Sequence, residues 1–180
     1  MPLTLASQSP RRARILAALG VDFVVAKSDA AEVSIPHDPE RTVRENALLK
    51  LRACPRAPAL AADTIVWLDG RIYGKPRDLA EAKEFLRELS GRTHTVFTGV
   101  AYRDAGGGVR TACARADVTF RALSEAAIED YVARARPLDR AGAYDIDAHG
   151  DCVVASCAGS YETVMGLAVE PLRAWGVVPA

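Results

Sequence analysis

Apolar residues recur along this chain with two periods, and the change of period marks out its elements. Pro2–Ala6 is a short apolar run that reads as a strand, and a helix follows it. Ser9 is placed to N-cap that helix, and Pro10 suits its first position. Ile15, Leu16 and Leu19 give it a buried side, and Gly20 stops it. Phe23–Ala26 reads as a second strand. Asp38-Pro39 opens a second helix that runs to about Ala53, with Val43, Ala47 and Leu51 inward. Ala59–Leu68 is a strongly apolar strand, Asp69-Gly70 is a hairpin-type turn, and Arg71–Tyr73 returns. Asp78 and Glu81 form a capping box for a third helix, with Ala82, Phe85, Leu86 and Leu89 inward and Gly91 as its stop. Two longer strands, about Thr93–Tyr102 and Val109–Phe120, flank the turn at Gly106-Gly107-Gly108. In the second, Ala112, Ala114, Ala116, Val118 and Phe120 alternate with polar residues, as in a half-buried antiparallel strand. Ser124 caps a fourth helix with Ile128, Tyr131, Val132 and Ala135 inward, and Pro137 ends it.

The C-terminal part is less regular. Asp139–Gly150 reads as a loop with an embedded strand, Cys152–Cys157 as a further strand, and Glu162–Trp175 as partly helical. Helices and strands alternate early and hairpins dominate later. That order predicts an α/β protein with a mixed sheet. A length of 180 residues suits a single domain, residues 1–180, of two lobes.

Composition narrows the function classes. The formal net charge is zero, so no bulk field draws the chain to nucleic acid or to a membrane surface. No apolar run reaches membrane-spanning length, and no basic-then-apolar segment leads the chain, so the expected location is cytoplasmic. The four cysteines show no metal spacing and read as free, buried thiols in a reducing compartment. An RNA-binding module is disfavoured by the neutral charge and the lack of aromatic runs. Phosphate-loop and dinucleotide glycine signatures are absent.

Local chemistry is more telling. Arg11, Arg12 and Arg14 crowd a helix start that already carries partial positive charge, where acids are the norm. They make either a phosphate site or a solvated Arg-rich turn. With 19 arginines and only 4 lysines in the chain, each lysine invites inspection. Lys50 lies near the buried side of the second helix, so it must snorkel or reach into a cleft. Lys75 is held between Gly74 and Pro76. Asp63 sits among apolar residues in AADTIVW, where burial disfavours its charge unless a cation compensates. It is a candidate metal ligand or general base, or else a structural carboxylate bonded to a nearby turn. Glu32 is a loop acid that solvent or a metal would satisfy. His94 and His149 have no metal-ligand partners at helical spacing.

Several blocks together resemble one family. LASQSPRR, Ala47-Leu48-Leu49-Lys50, AADTIVWLDGRIYGKPRD, EAKEFLRELSGRTHTVFTGV and PLDRAGAYDI are similar, in order and spacing, to the Maf family from Leu5 to about Leu167. The resemblance implies a fold like that of inosine-triphosphate pyrophosphatases, with two lobes around a central cleft. It implies a metal-dependent nucleoside triphosphate pyrophosphatase, using magnesium or manganese, that cleaves a (deoxy)nucleoside triphosphate to the monophosphate and pyrophosphate. Such an enzyme would clear modified or pyrimidine nucleotides. By resemblance, Asp63 is the proton acceptor, and Ser7, Arg11, Arg12, Lys50 and Lys75 bind phosphate. Glu32 lies with Asp63 at the metal, and Arg11 and Thr64 set a preference for dTTP and UTP. The chain departs from the family at Arg136 and Arg140, and at Asp147, where a third specificity residue is usually Gln. An ionised Asp only accepts hydrogen bonds, so Asp147 implies a weakened dTTP/UTP preference, shifted towards cytosine or guanine.

The resulting expectation is attack by water on the α-phosphorus, with Asp63 as base and Lys50, Lys75 and Arg11 stabilising the phosphate charge. The alternative from another class is a nucleotide-binding regulator of cell division with little turnover. The long strand pair offers a surface on which a homodimer could form.

Overall fold

The computed structural model describes residues 1–179. Its frame is one mixed sheet. Strand β1 (Leu3–Ala6) lies between β2 (Phe23–Ala26) and β3 (Ala59–Leu68) and is parallel to both. Strands β4 (Arg71–Tyr73), β5 (Thr93–Arg103), β6 (Val109–Phe120) and β7 (Val154–Ala158) add in antiparallel fashion. The order is β2-β1-β3-β5-β6-β7, with β4 beside the far half of β3. The helices are α1 (Pro10–Ala18), α2 (Pro39–Arg52), α3 (Leu79–Leu89), α4 (Glu125–Ala135), α5 (Gly150–Val153), α6 (Tyr161–Met165) and α7 (Val169–Ala174). None of the described helices is long and apolar enough to cross a membrane.

Two apolar cores give the expected two lobes. Val66, Phe85, Leu86, Val96 and Tyr131 belong to one, where α3 and α4 pack on the sheet. Leu5, Leu16, Leu60, Leu167 and Leu172 belong to the other, with α1, α6 and α7. Strand β3 runs through both. A third, thinner layer of small residues, including Ala47, Ala59, Ala61 and Ala101, seats α2 on the sheet. Here Gly99 of β5 touches the helix so closely that a Cβ would lie 2.4 Å from the Val43 carbonyl oxygen. Gly99 pairs directly with Asp63 of β3, so the closest approach of α2 to the sheet lies next to Asp63.

The early elements fall where the patterns put them, with local differences. Ser9 stands at the N-cap of α1, but its side chain makes no capping bond, and its N–H donates to Ser7 Oγ. The Asp78–Glu81 box is offset: Asp78 accepts from the Glu81 N–H, while Glu81 accepts from the N–H of Arg77.

The C-terminal expectations need correction. No strand is embedded in residues 139–150; a single 3₁₀ turn spans Ala141–Ala143 instead. Left-handed backbone at Gly142, Ala143 and His149 bends the chain too often for an extended run. Cys152 lies in the helical turn α5, and β7 starts only at Val154. The thiols are free, but only Cys54 is buried. Cys113 and Cys152 are partly covered, and Cys157 is exposed on the edge strand β7.

His94 ties the corrected loop to the sheet. Its Nε2 is 2.9 Å from the Tyr144 hydroxyl, and Phe120 and Tyr144 meet its ring edge-on. Burial pushes its pKa down to about 4, against a weak opposing field from Asp117. The folded state therefore keeps His94 neutral where the unfolded chain takes up a proton. Stability is fully retained above pH 6.5 and falls between pH 6.5 and about 4, by about 3 kcal/mol in total. Urea midpoints at pH 7 and 5 should differ clearly in the native chain and much less in His94→Gln.

Candidate active site

The cleft exists because β3 loses its neighbour halfway. Strand β1 pairs with β3 only at Ala59 and Leu60, and β4 begins pairing at Val66. Between them the edge of β3 has no strand partner, so side chains from both faces of the strand reach the same opening. A cavity of about 420 Å³ fills it. Ser7, Arg11, Arg12, Glu32, Lys50, Asp63, Thr64 and Lys75 all line that cavity. The separate sequence stretches thus converge in one place.

At its centre, Lys50 bridges two acids. Its ammonium donates to Asp63 Oδ1 at 2.6 Å and lies 2.8 Å from Glu32 Oε1. Asp63 is only 5% exposed, and Asn46 donates to its other oxygen at 3.0 Å. Burial works against the charge of Glu32, but the hydrogen bond and field of Lys50, helped by Lys75 and Arg12, hold its carboxyl below the usual range. Both acids thus share one cation, the Lys50 ammonium.

A polar stripe on α2 builds this arrangement. Thr42, Asn46 and Lys50 follow at intervals of four and face the same way. Thr42 Oγ1 accepts from the Ile35 N–H, and Asn46 bonds both the N–H and the carbonyl of Val33. Ser28 donates to the Lys50 carbonyl. The loop that carries Glu32 is thereby fastened along one helix. Lys75 follows Gly74, whose carbonyl accepts from the Gly142 N–H, and it makes no ion pair among the described residues.

The arginines divide their roles. Arg12 is a tie: its guanidinium donates to the Gly166 carbonyl, Ser7 Oγ and Thr64 Oγ1. Thr98 in turn donates to the Thr163 carbonyl, which leaves the Thr64 hydroxyl to donate to Thr98. Burial pulls the Arg12 pKa down to about 10, against the field of Asp63, so it stays cationic. Arg11 lies 3.6 Å from Asp145 and makes no hydrogen bond among the described residues. Arg14 points outward and pairs with Asp147 at 2.8 Å. Asp147 also accepts from the Tyr161 hydroxyl and is not among the cavity-lining residues. The expected shift in base preference needs a free Asp147 carboxylate, and here that carboxylate is already engaged.

Asn46 and Asp145 escaped the sequence reading. Asn46 was detectable as the middle member of the polar series Thr42, Asn46 and Lys50 at four-residue spacing. Asp145 lies inside the PLDRAGAYDI block but drew no notice by itself, because its approach to Arg11 joins distant segments.

The family description "Maf-like protein" matches residues 2–175. The chain belongs to the Maf family. It is 46% identical over 171 residues to the dTTP/UTP pyrophosphatase of Moorella thermoacetica, a match covering 92% of this chain and 88% of that protein. It is 42% identical over 171 residues to the dTTP/UTP pyrophosphatase of Yersinia pestis bv. Antiqua, covering 92% and 86%. Among solved structures it is similar to the Staphylococcus aureus Ham1 protein, with a TM-score of 0.50 at 16% identity over 67% of this chain and 72% of that one. That likeness concerns the fold alone and bears out the expected inosine-triphosphate-pyrophosphatase-like architecture.

The donor set of this Maf chain fits a divalent cation of the magnesium type. Glu32 and Asp63 supply hard carboxylate oxygens that already meet at one positive centre, the Lys50 ammonium. Among the described residues no cluster of three or more His, Cys, Asp or Glu stands ready to hold a metal. One or two carboxylates completed by substrate phosphates and water is the usual magnesium arrangement.

Proposed function

We propose that this Maf-family nucleoside triphosphate pyrophosphatase acts on dTTP and UTP, releasing pyrophosphate and the nucleoside monophosphate. The observation that carries the reading is the Lys50 bridge between Glu32 and Asp63, set in the cavity that Arg11 and Lys75 also line. Water attacks the α-phosphorus, the bond from that phosphorus to the bridging oxygen breaks, and pyrophosphate leaves. Asp63, buried beside Lys50, takes the proton of the attacking water. Lys50 and Lys75 neutralise the phosphate oxygens as charge builds on the leaving group. Glu32 and Asp63 would hold a magnesium or manganese ion, which neutralises phosphate charge when bound. The base choice follows from the donor-only guanidinium of Arg11, from the engaged Asp147 carboxylate, and from the names of the relatives.

The test is pyrophosphate release across UTP, dTTP, CTP, GTP and ATP with magnesium or manganese. The expected result is turnover at ~1 s⁻¹ or faster, with UTP and dTTP preferred by ~10-fold, equivalent to about 1.4 kcal/mol. Chelating the metal should bring release to background. Tight nucleotide binding with no release would instead favour a binding regulator. Preference for GTP or CTP would overturn the base reading alone.

A further inference from the structure

Asp145 is a carboxylate inside an anion-binding cleft, an arrangement that needs a reason. It is 4% exposed and lines the same cavity as Lys50 and Lys75. Its Oδ2 accepts from Arg140 Nε at 2.6 Å and lies 3.6 Å from the Arg11 guanidinium. Its Oδ1 accepts from the N–H groups of Asp147 and Ala148. Burial disfavours its charge, but Arg140 and the two N–H groups more than offset this and hold its carboxyl below the usual range. Asp145 is therefore a fixed negative charge between two arginines.

That charge gives the cleft two unlike ends. A polyanion near Asp145 meets two carboxylates, Asp145 and Asp139, beside two guanidiniums, Arg11 and Arg140, and so no net positive charge. A second set of charges, Lys50, Lys75 and Arg12 around Glu32, is distinct from the set around Arg11: Lys75 has no ion-pair partner among the described residues, and Lys50 faces acids that a divalent ion would share. The triphosphate belongs with the lysines, which leaves the Arg11–Asp145 end to the nucleoside. There Arg11 has one side held near Asp145 and its remaining N–H donors free. A guanidinium only donates, so it suits the O4 carbonyl of uracil or thymine and opposes the N4 amino group of cytosine.

We propose that Asp145 is a positioning residue for base selection: it holds Arg11 at the nucleoside end of the cleft, away from the triphosphate, where it favours a carbonyl edge. The inference rests on the dTTP/UTP reading above. Without the carboxylate, the long Arg11 side chain is drawn to the phosphates and its contact with the base is lost.

The experiment compares kcat/KM for UTP and CTP in the full chain and in Asp145→Asn and Asp145→Ser. Both substitutions remove the charge and keep an acceptor for the two N–H groups. The expected result is a UTP-to-CTP ratio reduced by about tenfold in either folded variant, which is about 1.4 kcal/mol. Parallel loss for both substrates, with the ratio unchanged, would overturn the proposal and leave Asp145 as scaffold. Arg11→Lys keeps the charge without the fork and should lower the ratio in the same way. An unchanged ratio there overturns the proposal even if neither Asp145 variant folds. If the native chain releases pyrophosphate from no nucleotide, the parent reading fails instead.

Discussion

Replacing Asp63 by Asn is expected to slow pyrophosphate release by roughly two to four orders of magnitude while nucleotide binding persists. The amide has the same size and can still accept from Lys50, but its NH2 then faces the Asn46 amide that donates to the carboxylate, so a modest loss of stability accompanies the change. What it cannot do is take the proton of the attacking water. The substitution also removes one negative charge from the proposed polyanion site, so affinity measured without the divalent ion should be unchanged or higher. Pyrophosphate-release kinetics, paired with calorimetric titration of a non-hydrolysable triphosphate analogue, separate the two effects. Full activity in the variant would remove Asp63 from the mechanism.

The second large effect is expected at a residue that does not line the cavity, Gly99. Gly99→Ala should destabilise the fold by about 3 kcal/mol, at the upper end of what overpacking costs. The new methyl group would lie 2.4 Å from the Val43 oxygen and 2.9 Å from the Arg44 nitrogen. Both atoms are helix backbone and cannot rotate aside, so α2 must shift as a body. Because Gly99 is the partner of Asp63 in the sheet, that shift also lengthens the Lys50–Asp63 contact of 2.6 Å. The urea midpoint and the rate of pyrophosphate release should therefore fall together in whatever folds. A variant with native stability would mean that the helix and sheet tolerate separation at this point.

What could be read from the sequence depended on how local the cause was. Helix α2 was legible because Asp38-Pro39 and the spacing of Val43, Ala47 and Leu51 are short-range signals, and the same spacing placed Lys50 near the buried side. Asp63 was legible as an anomaly, a carboxylate in an apolar strand that needed a cation. The Maf resemblance added its pairing with Glu32 in one site. The segment from Asp139 to Val153 was misread because its aromatic and apolar residues suggested a strand. Its real path is set by three left-handed residues and by the docking of Tyr144 on His94. The role of Asp145 beside Arg11 was hidden for a related reason: a charge pair between distant segments leaves no period in the chain. The contact of Asp147 with Arg14 at 2.8 Å was equally unreadable, because the two lie far apart in the chain.

The two lobes share their long strands, and this limits how the enzyme can move. Strands β3 and β5 run side by side from Ala59 to Trp67, past the cleft, from one core into the other. Domain closure elsewhere relies on a few loop residues that swing freely, and no such swivel interrupts this ladder. The mouth is accordingly a fixed jaw. What can still rearrange there is the side chains lining the opening, Arg11, Lys50 and Lys75 among them, and for Lys50 that means breaking its ion pairs with Glu32 and Asp63.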